Sequence, residues 1–283
     1  MASIISNSPE SLLLPTILAA LKAGSEILKI YDTDFGVEYK DDSSPLTQAD
    51  KNAHQAIATL LAPFGIPLLS EEGSDIAYSE RKGFPLLWIV DPLDGTKEFV
   101  KKNGEFTVNI ALIRVHYPVM GIIFQPTENL LYFGCEGIGS YKLEGAREKI
   151  SPGDTLIGIL GKAKQLPFTL THTGFKVACS RSHLNTATSA YVAKLKKIQP
   201  DVTFLQAGSS LKFCLVAEGT ADIYPRFGPT MEWDTAAGQA IVEYAAGSVT
   251  DCSTQNRLSY NREELRNASF LVKGKGMRDQ LLP

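Results

Sequence analysis

Two aspartates and a threonine arrive within six residues in Asp91-Pro-Leu-Asp-Gly-Thr96, directly after the apolar run Leu86-Leu-Trp-Ile-Val90. Carboxylates at that spacing, with peptide carbonyls between them, suit a hard divalent cation such as magnesium. Pro92 pushes Asp91 towards extended backbone, so no helix starts there. Gly95 lets the chain come close to a ligand and leaves its amide free to donate. Asp, Pro and Gly are also ordinary turn residues, so the hexapeptide alone fits either a cation loop or a plain acidic turn.

Other short stretches carry the same kind of ambiguity. Ser70-Glu71-Glu72-Gly73 follows an apolar run as Asp91 does, and neighbouring strands would bring Glu71 to Asp91 and Asp94. Three such carboxylates repel strongly in a low dielectric unless cations lie between them. A solvated acidic turn is the plainer reading. Asp234, in Glu232-Trp-Asp-Thr235-Ala-Ala-Gly238, is either a helix N-cap or a further metal ligand at a helix start. Asp50, in Thr47-Gln-Ala-Asp50, either completes a capping box or orients the Thr96 hydroxyl towards an attacking water. Gly208-Ser209-Ser210-Leu-Lys212 places small residues, hydroxyls and an ammonium at a helix start, a combination suited to anions. Arg226, after Tyr224-Pro, adds a guanidinium suited to bidentate phosphate recognition. His183, in Ser180-Arg-Ser-His183, is either a surface residue or a phosphate or base contact, and His54, His116 and His172 show no pairing pattern. No Walker A loop, H-E-x-x-H or G-x-S-x-G occurs.

The chain that must position these residues has 283 of them, enough for one large domain or two subdomains sharing a core. With 44% hydrophobic and 21% charged residues, it has the composition of a globular enzyme. A net charge of −3, with no basic run longer than Lys101-Lys102 or Lys196-Lys197, argues against a nucleic-acid polymer as partner. The four cysteines are isolated, which fits a reducing compartment rather than a disulfide or zinc framework. No apolar stretch reads as membrane-spanning and no secretory signal is recognised, so a cytoplasmic location is expected, with peripheral inner-membrane association left open.

Ser8-Pro9-Glu10 predicts a helix start, with Pro15 marking a kink or a later start. A second helix follows Thr47 and buries Ala53, Ala56, Ile57, Leu60 and Leu61. Strands over Thr107–Val115, Val119–Gln125, Asn129–Cys135 and Gly139–Leu143 form an antiparallel meander. From about residue 150, strands at 176–179, 202–205 and 221–224 alternate with helices at 185–197, 210–218 and 234–244. The expected division is an N-terminal α+β part, residues 1–150, and a C-terminal α/β part, residues 151–283.

In order along the chain, Ser70-Glu-Glu-Gly73, Asp91-Pro-Leu-Asp-Gly-Thr96 and Trp233-Asp-Thr-Ala-Ala-Gly238 resemble the hallmarks of the lithium-sensitive, magnesium-dependent phosphatase superfamily that includes inositol monophosphatases. Asp91 to Phe99, Asn103 to Ala111, Gly208 to Cys214 and Tyr224 to Pro229 are similar to its bacterial CysQ branch of 3'(2'),5'-bisphosphate nucleotidases, which act on adenosine 3',5'-bisphosphate. The resemblance covers nearly the whole chain and is weakest over residues 144–175 and at the C-terminal tail. It implies a layered αβαβα sandwich with the site between the two parts. It further implies two or three magnesium ions held by Glu71, Asp91, the Leu93 carbonyl, Asp94 and Asp234. Glu71 would also serve catalysis, and Asp50 with Thr96 would activate water. Gly95, Thr96 and Lys97 would meet the scissile phosphate. Ser209, Ser210, Lys212, Arg226 and His183, with Asp234, would complete substrate binding. The uncleaved phosphate of a bisphosphate needs cations, and Lys212 with Arg226 supplies them. Inositol monophosphate or fructose 1,6-bisphosphate hydrolysis and a catalytically silent nucleotide sensor are the alternatives.

Overall fold

The computed structural model describes residues 8–31, 33, 37–39, 45–73, 75–168, 174–180 and 186–278, with the side chains of 37–39 and 45–47 outside that description. Its first half holds α1 (Pro9–Tyr31), β1 (Val37–Tyr39), β2 (Pro45–Thr47), α2 (Gln48–Leu61), β3 (Leu68–Ser70), α3 (Tyr78–Arg81), β4 (Leu86–Asp94) and α4 (Thr96–Val100). The meander β5 (Thr107–Arg114), β6 (Tyr117–Gln125), β7 (Leu130–Cys135) and β8 (Gly139–Glu144) follows, then α5 (Ala146–Lys149), α6 (Leu156–Lys162) and β9 (Lys164–Gln165). The remainder is β10 (Phe175–Cys179), α7 (Thr186–Ile198), β11 (Val202–Gln206), α8 (Leu211–Glu218), β12 (Ile223–Arg226), α9 (Glu232–Tyr244), β13 (Ser248–Asp251) and β14 (Phe270–Lys273).

Strands β3 to β9 pair in sequence order into a seven-stranded sheet, parallel only between β3 and β4. The second sheet has the order β11-β10-β12-β14-β13. Its antiparallel β13 and β14 come from a C-terminal region that the alternating pattern leaves unread. Side chains alternate along β4. Trp88 and Val90 join a core with α1 and α2, whereas Leu87 and Ile89 face a second core built with α8, α9 and the five-stranded sheet. Both faces of the first sheet are thus covered, and Val177 and Ile223 pack with Leu195 of α7 on the outer face of the second. The layers are αβαβα, as the resemblance implies.

Ser8 caps α1, its hydroxyl accepting from the Ser11 amide at 3.3 Å, and the helix runs on through Pro15. A later start at that proline is therefore not what the chain adopts. By length and hydropathy α1 is the one helix among the described residues that could cross a membrane, contrary to the sequence expectation. It is instead a core helix, with Leu12, Leu13, Ile17 and Ile27 fully buried against the sheet. In α2, Ala53, Ile57 and Leu61 are buried, but Leu60 is 40% exposed because it lies off that stripe. The expected cap at Thr47 concerns a side chain outside the described set.

Helix α9 lies unusually close to the sheet. A Cβ on Gly121 of β6 would meet the Ala237 Cα and the Ala240 Cβ at 2.8 Å, and one on Gly134 of β7 would meet the Ile241 Cα at 2.8 Å. Backbone cannot yield as a side-chain tip does, so overpacking here is costly. Gly121→Ala is expected to destabilise the protein by about 3 kcal/mol, read as a lower urea midpoint at unchanged m-value.

Candidate active site

Asp91 and Asp94 lie three positions apart, which in a regular strand would turn them to opposite faces. The ladder between β4 and β5 pairs Asp91 with Asn109 and Asp94 with Thr107, so three steps on β4 match two on β5. This one-residue bulge returns both carboxylates to the face of Leu87 and Ile89. The strand thus continues past Asp91 to Asp94. Parallel pairing of Ser70 with Val90 brings Glu71 alongside, its amide donating to the Val90 carbonyl at 3.2 Å. The fourth acid comes from α9. Met231 occupies the N-cap, and Asp234 sits one turn in, its Oδ2 accepting from the Met231 amide at 2.9 Å. Asp234 is therefore not the cap, and the helix start aims it at the sheet.

Carboxylate oxygens of Asp91, Asp94 and Asp234 lie within 4.8 Å of one another. Glu71, Leu93, Gly95, Thr96 and Lys97 line the same cavity of about 460 Å³, with Trp233 and Arg266 on its wall. Burial, then the charges of Glu71 and Asp94, hold the Asp91 carboxyl well above its ordinary range. Burial, then Asp94, push Asp234 in the same direction. The Asp91 Oδ1 accepts from the Leu93 amide at 3.1 Å, and the Thr96 hydroxyl donates to the Leu93 carbonyl at 3.4 Å. Gly95 adopts φ +92°, a conformation that favours glycine, just before α4. Asp50 is buried in the first turn of α2 and adds to the repulsion on Asp91.

A second cavity of about 160 Å³ shares Asp94, Gly95, Lys97 and Asp234 with the first and is lined by Ser180, Ser209, Lys212 and Arg226. Lys212 is buried, its ammonium held by the Ser209 carbonyl and by the Ala207 carbonyl at 3.3 Å, 5.5 Å from the Tyr224 ring centre. Burial pushes its pKa down to about 8 against the upward pull of Asp94. Arg226 donates to the Pro229 carbonyl at 3.1 Å. Ser209 and Ser210 turn towards the sheet: Ser209 donates to Asp94, and Ser210 donates to Asn109 at 2.8 Å. His183 lies outside the described residues. Sequence reasoning assigned no role to Thr107, Asn109, Trp233 or Arg266. The first two were visible only as alternating polar residues in an otherwise apolar strand.

Residues 9–279 match the model of the inositol monophosphatase family. The chain belongs to the inositol monophosphatase family. Among curated relatives, the 3'(2'),5'-bisphosphate nucleotidase CysQ of Salmonella typhimurium is 41% identical over 257 residues, covering 89% of this chain and 96% of its own. The crystal structure of CysQ from Bacteroides thetaiotaomicron superposes with a TM-score of 0.88 at 48% identity, over 95% of this chain and 98% of that one. The suhB protein of Bartonella henselae shares the fold, with a TM-score of 0.73 at 23% identity over 96% of each chain.

The family is metal-dependent, and the residues here fit that chemistry. An all-oxygen donor set is what hard divalent cations take, and the mutual repulsion that raises Asp91 and Asp234 is relieved by positive charge between them. The sign of the pH effect follows. Carboxylates with raised pKa values keep their protons at mildly acidic pH, and protons then compete with the cation. The rise in melting temperature produced by added Mg2+ or Mn2+ is therefore expected to shrink steadily from pH 8 to pH 5. A shift that stays constant across that range in a thermal-melt series overturns the carboxylate assignment.

Proposed function

We propose that this chain is a magnesium-dependent 3'(2'),5'-bisphosphate nucleotidase, cytoplasmic, that hydrolyses the 3'-phosphate of adenosine 3',5'-bisphosphate to give AMP and phosphate. The sulfated analogue, 3'-phosphoadenosine 5'-phosphosulfate, is its second substrate in this reading. The observation that carries it is the junction of an acidic cavity with a second one that adds two cations to a shared carboxylate wall. Glu71, Asp91, Asp94 and Asp234 line the first, and the second keeps Asp94, Lys97, Glu98 and Asp234 and adds Lys212 and Arg226. A molecule with one phosphate to lose and another to be gripped matches that layout. The names of the 39–41% identical nucleotidase relatives support the same substrate class.

Glu71, Asp91, the Leu93 carbonyl, Asp94 and Asp234 are the residues that would hold two or three magnesium ions. When bound, these ions supply charge neutralisation at the phosphate and the leaving oxygen and acidify the attacking water. The protein's own groups do the rest. The amides of Gly95, Thr96 and Lys97 orient the scissile phosphate. Thr96 Oγ1 accepts a proton from water as Asp50 takes the hydroxyl proton, so that the new P–O bond forms in line with the P–O3' bond that breaks. The departing 3'-oxygen takes a proton from solvent water and leaves as the 3'-hydroxyl. Lys212 and Arg226, with His183, hold the 5'-phosphate and nucleoside, while the Ser209 and Ser210 hydroxyls are spent on Asp94 and Asn109.

Magnesium-dependent phosphate release from a panel of esters tests the reading. Adenosine 3',5'-bisphosphate is expected to exceed inositol 1-phosphate and fructose 1,6-bisphosphate, and equal or better release from inositol 1-phosphate sinks the substrate choice. Asp94→Asn is expected to abolish turnover in a folded protein; near-normal activity would falsify the metal assignment. Lys212 is protonated below about pH 8 and loses its charge above it. KM for the bisphosphate is accordingly expected to climb above that pH. Lys212→Met is expected to raise KM for the bisphosphate roughly tenfold or more, the scale of one charge-assisted hydrogen bond, and to change KM for inositol 1-phosphate much less.

A further inference from the structure

Three polar residues stand behind the site without lining either cavity: Thr107 and Asn109 of β5 are 0% exposed, and Ser210, just before α8, is 2% exposed. Buried polar groups are costly unless bonded, and these are bonded to one another and to the site. The Asn109 Oδ1 accepts from the Thr107 hydroxyl at 2.9 Å and from the Ser210 hydroxyl at 2.8 Å. Hydroxyls donate and accept, but a carboxylate only accepts, so the end of the amide turned to Asp94 is the NH2 group. It meets the Asp94 Oδ2 at 3.3 Å. The same Oδ2 accepts from the Ser209 hydroxyl, which also lies 2.6 Å from the Thr107 hydroxyl. With both donors on Oδ2, the other oxygen of Asp94 is left for the cavity. Ser209 also turns its carbonyl to the Lys212 ammonium. One buried network therefore reaches a carboxylate of the acidic cavity and the ammonium of the cationic one.

We infer that Thr107, Asn109 and Ser210 are positioning residues that lock Asp94 in one rotamer and, through Ser209, set Lys212. Metal affinity and the grip on the uncleaved phosphate then depend on the same hydrogen bonds. The inference rests on the nucleotidase reading above for the identity of the second group, and not for metal binding itself. The register of β4 and β5 explains why the parts meet. Thr107 and Asn109, two apart on one strand, stand opposite Asp94 and Asp91 across the bulge.

The test uses Mn2+ titrated by calorimetry into the full-length protein without substrate, alongside steady-state kinetics. Thr107→Val keeps the shape and removes the hydroxyl, and Asn109→Ala removes the amide. Asn109→Ala is expected to weaken Mn2+ binding roughly tenfold, the scale of one hydrogen bond to a charged group, and Thr107→Val roughly fivefold, the scale of a neutral one. Both are expected to raise KM for the bisphosphate more than for inositol 1-phosphate. Thr107→Ser, which restores the hydroxyl, is expected to bind Mn2+ within about twofold of wild type. Tyr132→Phe is the control for a merely structural loss. It deletes a buried hydrogen bond of 2.6 Å to Glu218 outside the site, and is expected to lower the melting temperature with Mn2+ affinity unchanged. If Thr107→Val binds Mn2+ as tightly as wild type, or if Tyr132→Phe weakens it equally, the positioning role is overturned. Wild-type protein that takes up no Mn2+ overturns the metal reading and this inference together. Normal Mn2+ uptake, lost in Thr107→Val, with no activity on the bisphosphate overturns only the substrate reading.

Discussion

Carboxylates gathered at one end of a buried sheet repel one another, and that repulsion is the constraint the rest of the structure answers. Asp91 and Asp94 reach the same face because β4 carries an extra residue, Glu71 arrives on a parallel neighbour, and Asp234 is carried in on α9. None of these placements lowers the electrostatic cost. Each is fixed by apolar burial and backbone hydrogen bonds strong enough to hold charges where they would not go alone. Metal cations, when bound, would compensate on one side of the cluster. On the other, Ser209 and Asn109 donate to Asp94.

The start of α9 is held as firmly as the strands. Buried Glu232 accepts from the Asn261 amide at 2.7 Å and pairs with Arg262 at 3.1 Å, while Asn267 donates to the Met231 carbonyl at 2.7 Å and to the Thr235 hydroxyl at 3.0 Å. The Tyr260 hydroxyl donates within the same group to Gln239 at 2.9 Å. The chain from 260 to 267 thus clasps the helix end that presents Asp234. Close packing of that helix on Gly121 and Gly134 fixes its height above the sheet.

Much of this was legible in the sequence because short-range chemistry carried it. The meander showed in its alternating apolar residues and turns, and Asp91, Asp94 and Asp234 showed in local motifs that a turn or a cap could also explain. What escaped depended on pairing. A bulge cannot be read from Pro92-Leu93 without knowing that Asn109 and Thr107 lie opposite. Ser209 and Ser210 read as groups for an anion, yet their hydroxyls are directed to Asp94 and Asn109, because α8 begins beside the paired ends of β4 and β5. Asp234 read as a possible N-cap because Asp commonly fills that position, but Met231 takes it. Strands β13 and β14 were missed because they pair with each other and with β12 from a stretch lacking strong alternation.

Leu87, Ile89 and Ile123 of the first sheet share one continuous core with Ala237 and Ile241 of α9 and with Val249 and Val272 of the second sheet. The two sheets are joined by a common middle layer and not by a linker. Swinging them apart would bring that entire layer into water, at roughly 25 cal/mol for every Å² of apolar surface uncovered. A clamshell motion is therefore closed to this architecture. Substrate entry and product escape must be served by side chains and loops at the cavity mouth, where Lys97 and Arg266 are exposed. Opening of the site then falls to local rearrangement at its rim.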